Sequence, residues 1–234
     1  MASIQSFNDP AFTLNPPALS HTISDHGSHL SLRALPKTDW WRVPPPAPGP
    51  VESRTGAFLG LTIDATRDFS AGVWIRGEWG VQFDQGCLML LAGDSDDVAG
   101  DWIKAGVEVE TGREYIGAVV TSPWSDWAIA PAEHSTSTLG DSPSPYALYM
   151  QTVREGPLLT VSQHIAQRTP DEGGKAPSSE HLIKIREVRG FNLDAAGKPQ
   201  AKEGDKWRVG PMVCGPTNEA GLKAEFWGFE LRYL

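Results

Sequence analysis

The chain has no uninterrupted apolar stretch approaching the ~18 residues that a membrane span requires, which argues against a helical membrane protein. Its 234 residues include only two cysteines, Cys87 and Cys214, so at most one bridge is possible. With apolar or Gly/Pro neighbours, both read as buried free thiols suited to a reducing compartment. Basic residues are outnumbered, 20 Lys+Arg against 29 Asp+Glu for a net charge of -9. That balance excludes a nucleic-acid backbone as the main partner. Met1 to Pro10 lacks both a basic region and an apolar region of the secretory type, so a cytoplasmic protein is expected. No segment keeps helical periodicity beyond about two turns, which excludes a fold of alternating strands and helices.

What the chain does contain is strand after strand. Nine Trp and eight Phe in a 40% hydrophobic composition are enough to cover two sheets. From Ala57 onward, runs such as Phe69–Gly77, Tyr115–Thr121, Ala147–Arg154, Leu158–Gln163, His181–Val188 and Ala224–Tyr233 recur between Gly- and Pro-rich turns. This spacing predicts an all-β, two-sheet antiparallel sandwich. Residues 1–36 read as an extension with one short strand around Leu30 to Ala34, and residues 37–234 as a single sandwich domain. Pro44 to Pro50 reads as a stiff surface connection that cannot enter a sheet interior. Asp94–Gly100, Glu133–Pro145 and Thr169–Glu180 read as long loops.

Two strands organise the rest, Val81–Leu91 and Asp101–Glu110. In the second, Ile103, Ala105, Val107 and Val109 alternate with Trp102, Lys104, Gly106, Glu108 and Glu110, so one face packs while an aromatic, a cation and carboxylates share the other. In the first, Val81, Phe83, Cys87, Met89 and Leu91 form an apolar face interrupted by Gln85. Gln82 and Asp84 point the opposite way, with Asp84 placed to tie into backbone at the sheet edge.

Gln85, Trp102, Lys104, Glu108, Asp126, Trp127, Arg186 and Glu187 thus stand inside or beside otherwise apolar strands. Acid, base, amide and indole on one sheet face suit a saccharide, whose hydroxyls take hydrogen bonds and whose ring stacks on an aromatic. The competing interpretation is structural, with Lys104–Glu108 and Arg186–Asp126 as ion pairs that satisfy one another.

Phe83-Asp84-Gln85-Gly86-Cys87-Leu88-Met89-Leu90, Trp102-Ile103-Lys104-Ala105-Gly106-Val107-Glu108, Val119-Val120-Thr121, Ser125-Asp126-Trp127, Ile185-Arg186-Glu187 and Val209-Gly210-Pro211-Met212-Val213-Cys214 resemble, in this order, the regulation-of-enolase family. The resemblance runs from about Thr38 to the C-terminus. It implies a concanavalin A-like lectin/glucanase jelly roll with a concave polar face, and a metabolic-enzyme partner, one yeast member being linked to enolase regulation. It supplies no agreed catalytic residues.

Retaining glucanases of that fold class carry a Glu-x-Asp-x-x-Glu strand motif with carboxyls about 5–5.5 Å apart, and this chain lacks it. Glu108 and Glu110 stand roughly 6.5–7 Å apart by strand rise. If the protein is an enzyme, Glu108 and Lys104 are its acid–base candidates, with Lys104 expected to keep Glu108 ionised and to act as a base only if desolvated. A cross-sheet Glu108–Glu187 pair is the other arrangement. His21, His26 and His29 with Asp25 read as a loop rather than a metal site, and Asp94-Ser95-Asp96-Asp97 as a solvated turn. No motif implies a cofactor. The leading expectation is a lectin-like module for a saccharide or sugar-like metabolite; an acid–base enzyme and a protein-interaction regulator of carbohydrate metabolism are the alternatives.

Overall fold

The computed structural model describes residues 6–24, 26–46, 52–93, 100–132, 146–166 and 174–234. Among them are sixteen strands: β1 (Phe12–Leu14), β2 (Ser20–Ile23), β3 (His29–Arg33), β4 (Trp40–Arg42), β5 (Glu52–Arg54), β6 (Ala57–Asp64), β7 (Phe69–Gly77), β8 (Gln85–Ala92), β9 (Trp102–Glu110), β10 (Arg113–Thr121), β11 (Ser125–Pro131), β12 (Ala147–Glu155), β13 (Leu158–Ala166), β14 (Ile183–Val188), β15 (Lys206–Cys214) and β16 (Lys223–Tyr233). One antiparallel sheet runs β1-β6-β15-β8-β9-β10-β11 and the other β14-β13-β12-β7-β16-β3-β2. They face each other as a jelly-roll sandwich. Strands alternate side chains across the sheet, so Leu88, Leu90, Ile103, Val107 and Val109 of the first sheet meet Leu30, Val73, Ile75, Leu148 and Phe226 of the second in one core.

The described part of residues 1–36 holds three strands where the sequence suggests one. β1 extends the first sheet through pairing with β6, and the β2–β3 hairpin extends the second through pairing of β3 with β16. The loops expected at Asp94–Gly100, Glu133–Pro145 and the start of Thr169–Glu180 lie largely outside the described residues, as do Asp25 and the acidic run from Asp94. Among the described residues no helix is long and apolar enough to cross a membrane.

The strand expected from Val81 begins only at Gln85. Val81 to Asp84 instead form a bracket, with Phe83 in the left-handed region at φ 66°. That conformation costs an L-residue about 1–2 kcal/mol and persists where its surroundings fix it. Here Asp84 accepts bonds from the Gly80 and Val81 amides (3.1 and 2.9 Å) and from Asn218 (2.9 Å), while the Phe83 amide donates to the Val109 carbonyl (2.8 Å). Burial pushes the Asp84 carboxyl up, against these bonds. The expected anchoring of Asp84 to backbone is therefore what the structure contains.

The second face of the first sheet is also covered. Cys87, Met89, Leu91, Trp102, Met212 and Cys214 pack there with Phe58 and Trp40 in a separate apolar cluster. The cover is the β4–β5 hairpin. Trp40 meets Trp102 edge-on at 5.4 Å and donates its indole N–H to the Gly56 carbonyl at 2.9 Å. The Arg42 guanidinium lies 4.5 Å from the Trp102 ring centroid and is held by Glu52 and the Gly100 and Pro123 carbonyls. Gly56 admits this approach, since a β-carbon there would sit 2.7 Å from Trp40 Cδ1 and 2.8 Å from Cys214 Cβ. Gly56→Ala should lower the urea midpoint by an amount equivalent to about 1–3 kcal/mol. An unchanged midpoint would mean that the hairpin is not packed as described.

Candidate functional site

Where the β4–β5 hairpin stops covering the sheet, a cavity of about 310 Å³ remains between the hairpin, the Phe83 bracket and β11. Its position follows from strand register. Gln85 of β8 pairs with Glu108 of β9, while Lys104 of β9 pairs with Val119 of β10, which pairs in turn with Trp127 of β11. Side chains repeat on one face every second residue, so Gln85, Lys104, Glu108, Val119 and Trp127 arrive together. Trp41, Phe83, Pro216 and Thr217 complete much of the wall, with Asp39 beside Lys104.

Glu108 is the centre of the polar group. Its two carboxyl oxygens accept one bond each, from Gln85 Nε2 at 3.1 Å and from Trp127 Nε1 at 2.9 Å. Burial raises its pKa to about 7, against the lowering pull of Lys104 and the Trp127 bond and with help from the charges of Asp39 and Glu110. This corrects the expectation that Lys104 would hold Glu108 fully ionised: desolvation outweighs that attraction. Lys104 is itself only 2% exposed and binds Asp39 Oδ1 at 3.2 Å. Burial works against its ammonium, yet the surrounding acidic groups prevail and its pKa is raised, Cys214 and Cys87 contributing only as thiolates. Burial pushes both thiols up, Cys87 to about 12, so near neutral pH the negative partners are Asp39 and Glu108. Lys104 is a fixed cation, which removes it as a general base. The cysteines are unbridged.

The expected site set divides. Gln85, Lys104, Glu108 and Trp127 line the cavity. Trp102 does not: it is completely buried beneath Trp40 and Arg42, so it serves packing rather than a ligand. Asp126, adjacent to Trp127, points to the opposite face and pairs with Arg186 of the other sheet. Glu187 pairs with Lys184 and Arg189 on an exposed surface, away from Glu108, so the cross-sheet carboxylate pair does not form. These three residues take the structural reading. Arg186 also borders a larger, isoleucine-lined cleft of about 520 Å³ between the two sheets, with no carboxylate among its described lining residues.

Asp39, Trp41, Phe83 and Thr217 were not identifiable as pocket residues from the sequence. Asp39 and Trp41 come from the segment before the proline run, and Phe83 belongs to the bracket rather than to the strand pattern. Among the described residues no group of three or more metal-binding side chains assembles, and His21 and His29 sit on β2 and β3.

Comparison with known proteins agrees with the architecture. The chain is 26% identical over 206 residues to Regulation of enolase protein 1 of Saccharomyces cerevisiae, covering 88% of this chain and 82% of that protein. A solved structure of a functionally unknown protein from Saccharomyces cerevisiae superposes with a TM-score of 0.69 at 21% identity, covering 98% of both chains. A xylan beta-1,4-xylosidase from Bacillus halodurans superposes at 0.52 with 12% identity, over 88% of this chain and 32% of the enzyme. At these identities the superpositions speak for the sandwich fold alone. The family described as Protein of unknown function (DUF1349) matches residues 14–233, nearly the whole chain, and the protein belongs to it.

Proposed function

We propose that this protein is a lectin-like module that holds a saccharide or sugar-like metabolite in the cavity over Glu108. The observation that carries the reading is the Gln85–Glu108–Trp127 cluster at the base of an aromatic-walled pocket of about 310 Å³. An ionised carboxylate offers about four acceptor positions. Gln85 and Trp127 occupy two of them, leaving acceptors for ligand hydroxyls. Trp127, 38% exposed and edge-on to Phe83 at 6.3 Å, provides an open indole for a sugar ring. Isothermal titration against a sugar panel tests the proposal. At least one sugar should bind, and Trp127→Ala should weaken that binding about tenfold or more. Absence of heat with every sugar would sink the reading.

A second reading is favoured by one specific feature. With a pKa of about 7, Glu108 is divided between acid and base near neutral pH, as a general acid–base catalyst requires. In that case Glu108 moves the proton, while Lys104 stabilises developing negative charge and does not itself exchange one. Two buried unbridged thiols support cytoplasmic residence. The name of the yeast relative supports a metabolic enzyme as macromolecular partner.

A further inference from the structure

The charges around the pocket select among ligands. Three ionisable side chains line it, Asp39, Lys104 and Glu108, and Lys104 is committed to Asp39 at 3.2 Å. No second cation is among the described lining residues. Glu108 receives only neutral donors, the Gln85 amide and the Trp127 indole. The walls are the aromatic rings of Trp41, Phe83 and Trp127, whose faces carry negative electrostatic potential. Phe83 is fixed in a strained backbone conformation that brings its ring to within 6.3 Å of Trp127. The whole chain adds a net charge of -9. Lys104 and Asp39 offset each other, so a phosphate or carboxylate entering here would meet Glu108 with no uncommitted cation among the described lining residues to receive it. A protonated amine would meet a carboxylate and π faces.

We infer that the pocket selects a cationic ligand, an amine-bearing sugar in preference to neutral, acidic or phosphorylated sugars, with Glu108 as counter-ion and Trp41, Phe83 and Trp127 as the aromatic enclosure. The sugar part of this inference rests on the saccharide reading above; the charge part does not. Glucose, glucosamine and glucuronate share one ring and differ in charge, so they isolate the preference. Choline presents a permanent cation without a sugar ring.

The test is isothermal titration of the full chain with these four probes at about pH 6.5, where the glucosamine amine is protonated and Glu108, largely protonated in the free protein, gives up its proton as the amine binds. Glucosamine should bind about tenfold more tightly than glucose, and glucuronate more weakly than glucose. Glu108→Gln should close the gap between glucosamine and glucose. Trp127→Leu, at a half-exposed position, should weaken glucosamine and choline alike, with an unchanged urea midpoint separating lost binding from lost folding. If glucose or glucuronate binds as tightly as glucosamine, the cation preference is overturned while the saccharide reading stands. Binding of choline with no heat from these three sugars or from the wider sugar panel overturns the saccharide reading and upholds the cation preference. If none of the four binds, the cation preference is overturned, and the saccharide reading falls with it only when the wider sugar panel also gives no heat.

Discussion

Replacing Lys104 with Met is expected to lower folding stability by about 3 kcal/mol near pH 8, because removing one partner of a buried ion pair leaves the remaining charge uncompensated. Lys104 is almost wholly buried, and its neighbours across the cavity are Asp39 at 3.2 Å and Glu108. The loss should shrink near pH 5. Glu108 already titrates near 7 in the intact protein, and Lys104 holds that value down. Without the cation its carboxyl binds a proton still more readily, so the acidic variant carries less unpaired negative charge. Asp39→Asn in the Lys104→Met background should recover part of the stability, since the two residues are coupled through one contact. Urea denaturation of the two single variants and the double variant at both pH values checks this. Equal losses at pH 5 and 8, or strictly additive effects, would refute the buried-pair description.

Glu108→Gln should change how stability depends on pH. The folded-state pKa of about 7 lies above the ordinary 4.5, so the folded protein holds this proton more tightly than the unfolded chain. The resulting contribution is complete below about pH 4.5 and is lost as the pH rises through about 7. A glutamine has no such proton to lose. The variant should therefore gain on the wild type across this interval, by up to about 3 kcal/mol at the alkaline end. Parallel curves of stability against pH for the two proteins would show that Glu108 is solvated and ordinary.

Strand alternation carried much of this site into view. The pattern Ile103, Ala105, Val107, Val109 against Lys104 and Glu108 assigns faces without any tertiary information, and β9 has that alternation, with the apolar set in the main core. In β8 the apolar odd-numbered positions proved to share the face of Lys104 and Glu108, while Leu88 and Leu90 enter the main core. Both faces of β8 are buried, and a period of two cannot rank two apolar faces. Nor does alternation tell how far along a strand a face stays open: Trp102 and Lys104 lie two residues apart, yet the Trp40–Arg42 hairpin seals the first away from the cavity. Asp126 and Trp127 looked like one constellation by adjacency and are separated by the pleat. Asp39 escaped because its contact with Lys104 spans 65 residues and leaves no local pattern. The first two strands escaped because strands of three and four residues hold too few alternations to read.

At the centre of the site is a carboxyl that is buried, titrates near neutrality and still meets ligand. The most direct measurement is an NMR titration of the Glu108 side-chain carboxyl carbon, assigned by its disappearance in Glu108→Gln, with and without glucosamine. A midpoint near 7 in the free protein, moving downward when the amine binds, is the predicted result. A midpoint near 4.5 that glucosamine leaves in place would contradict it.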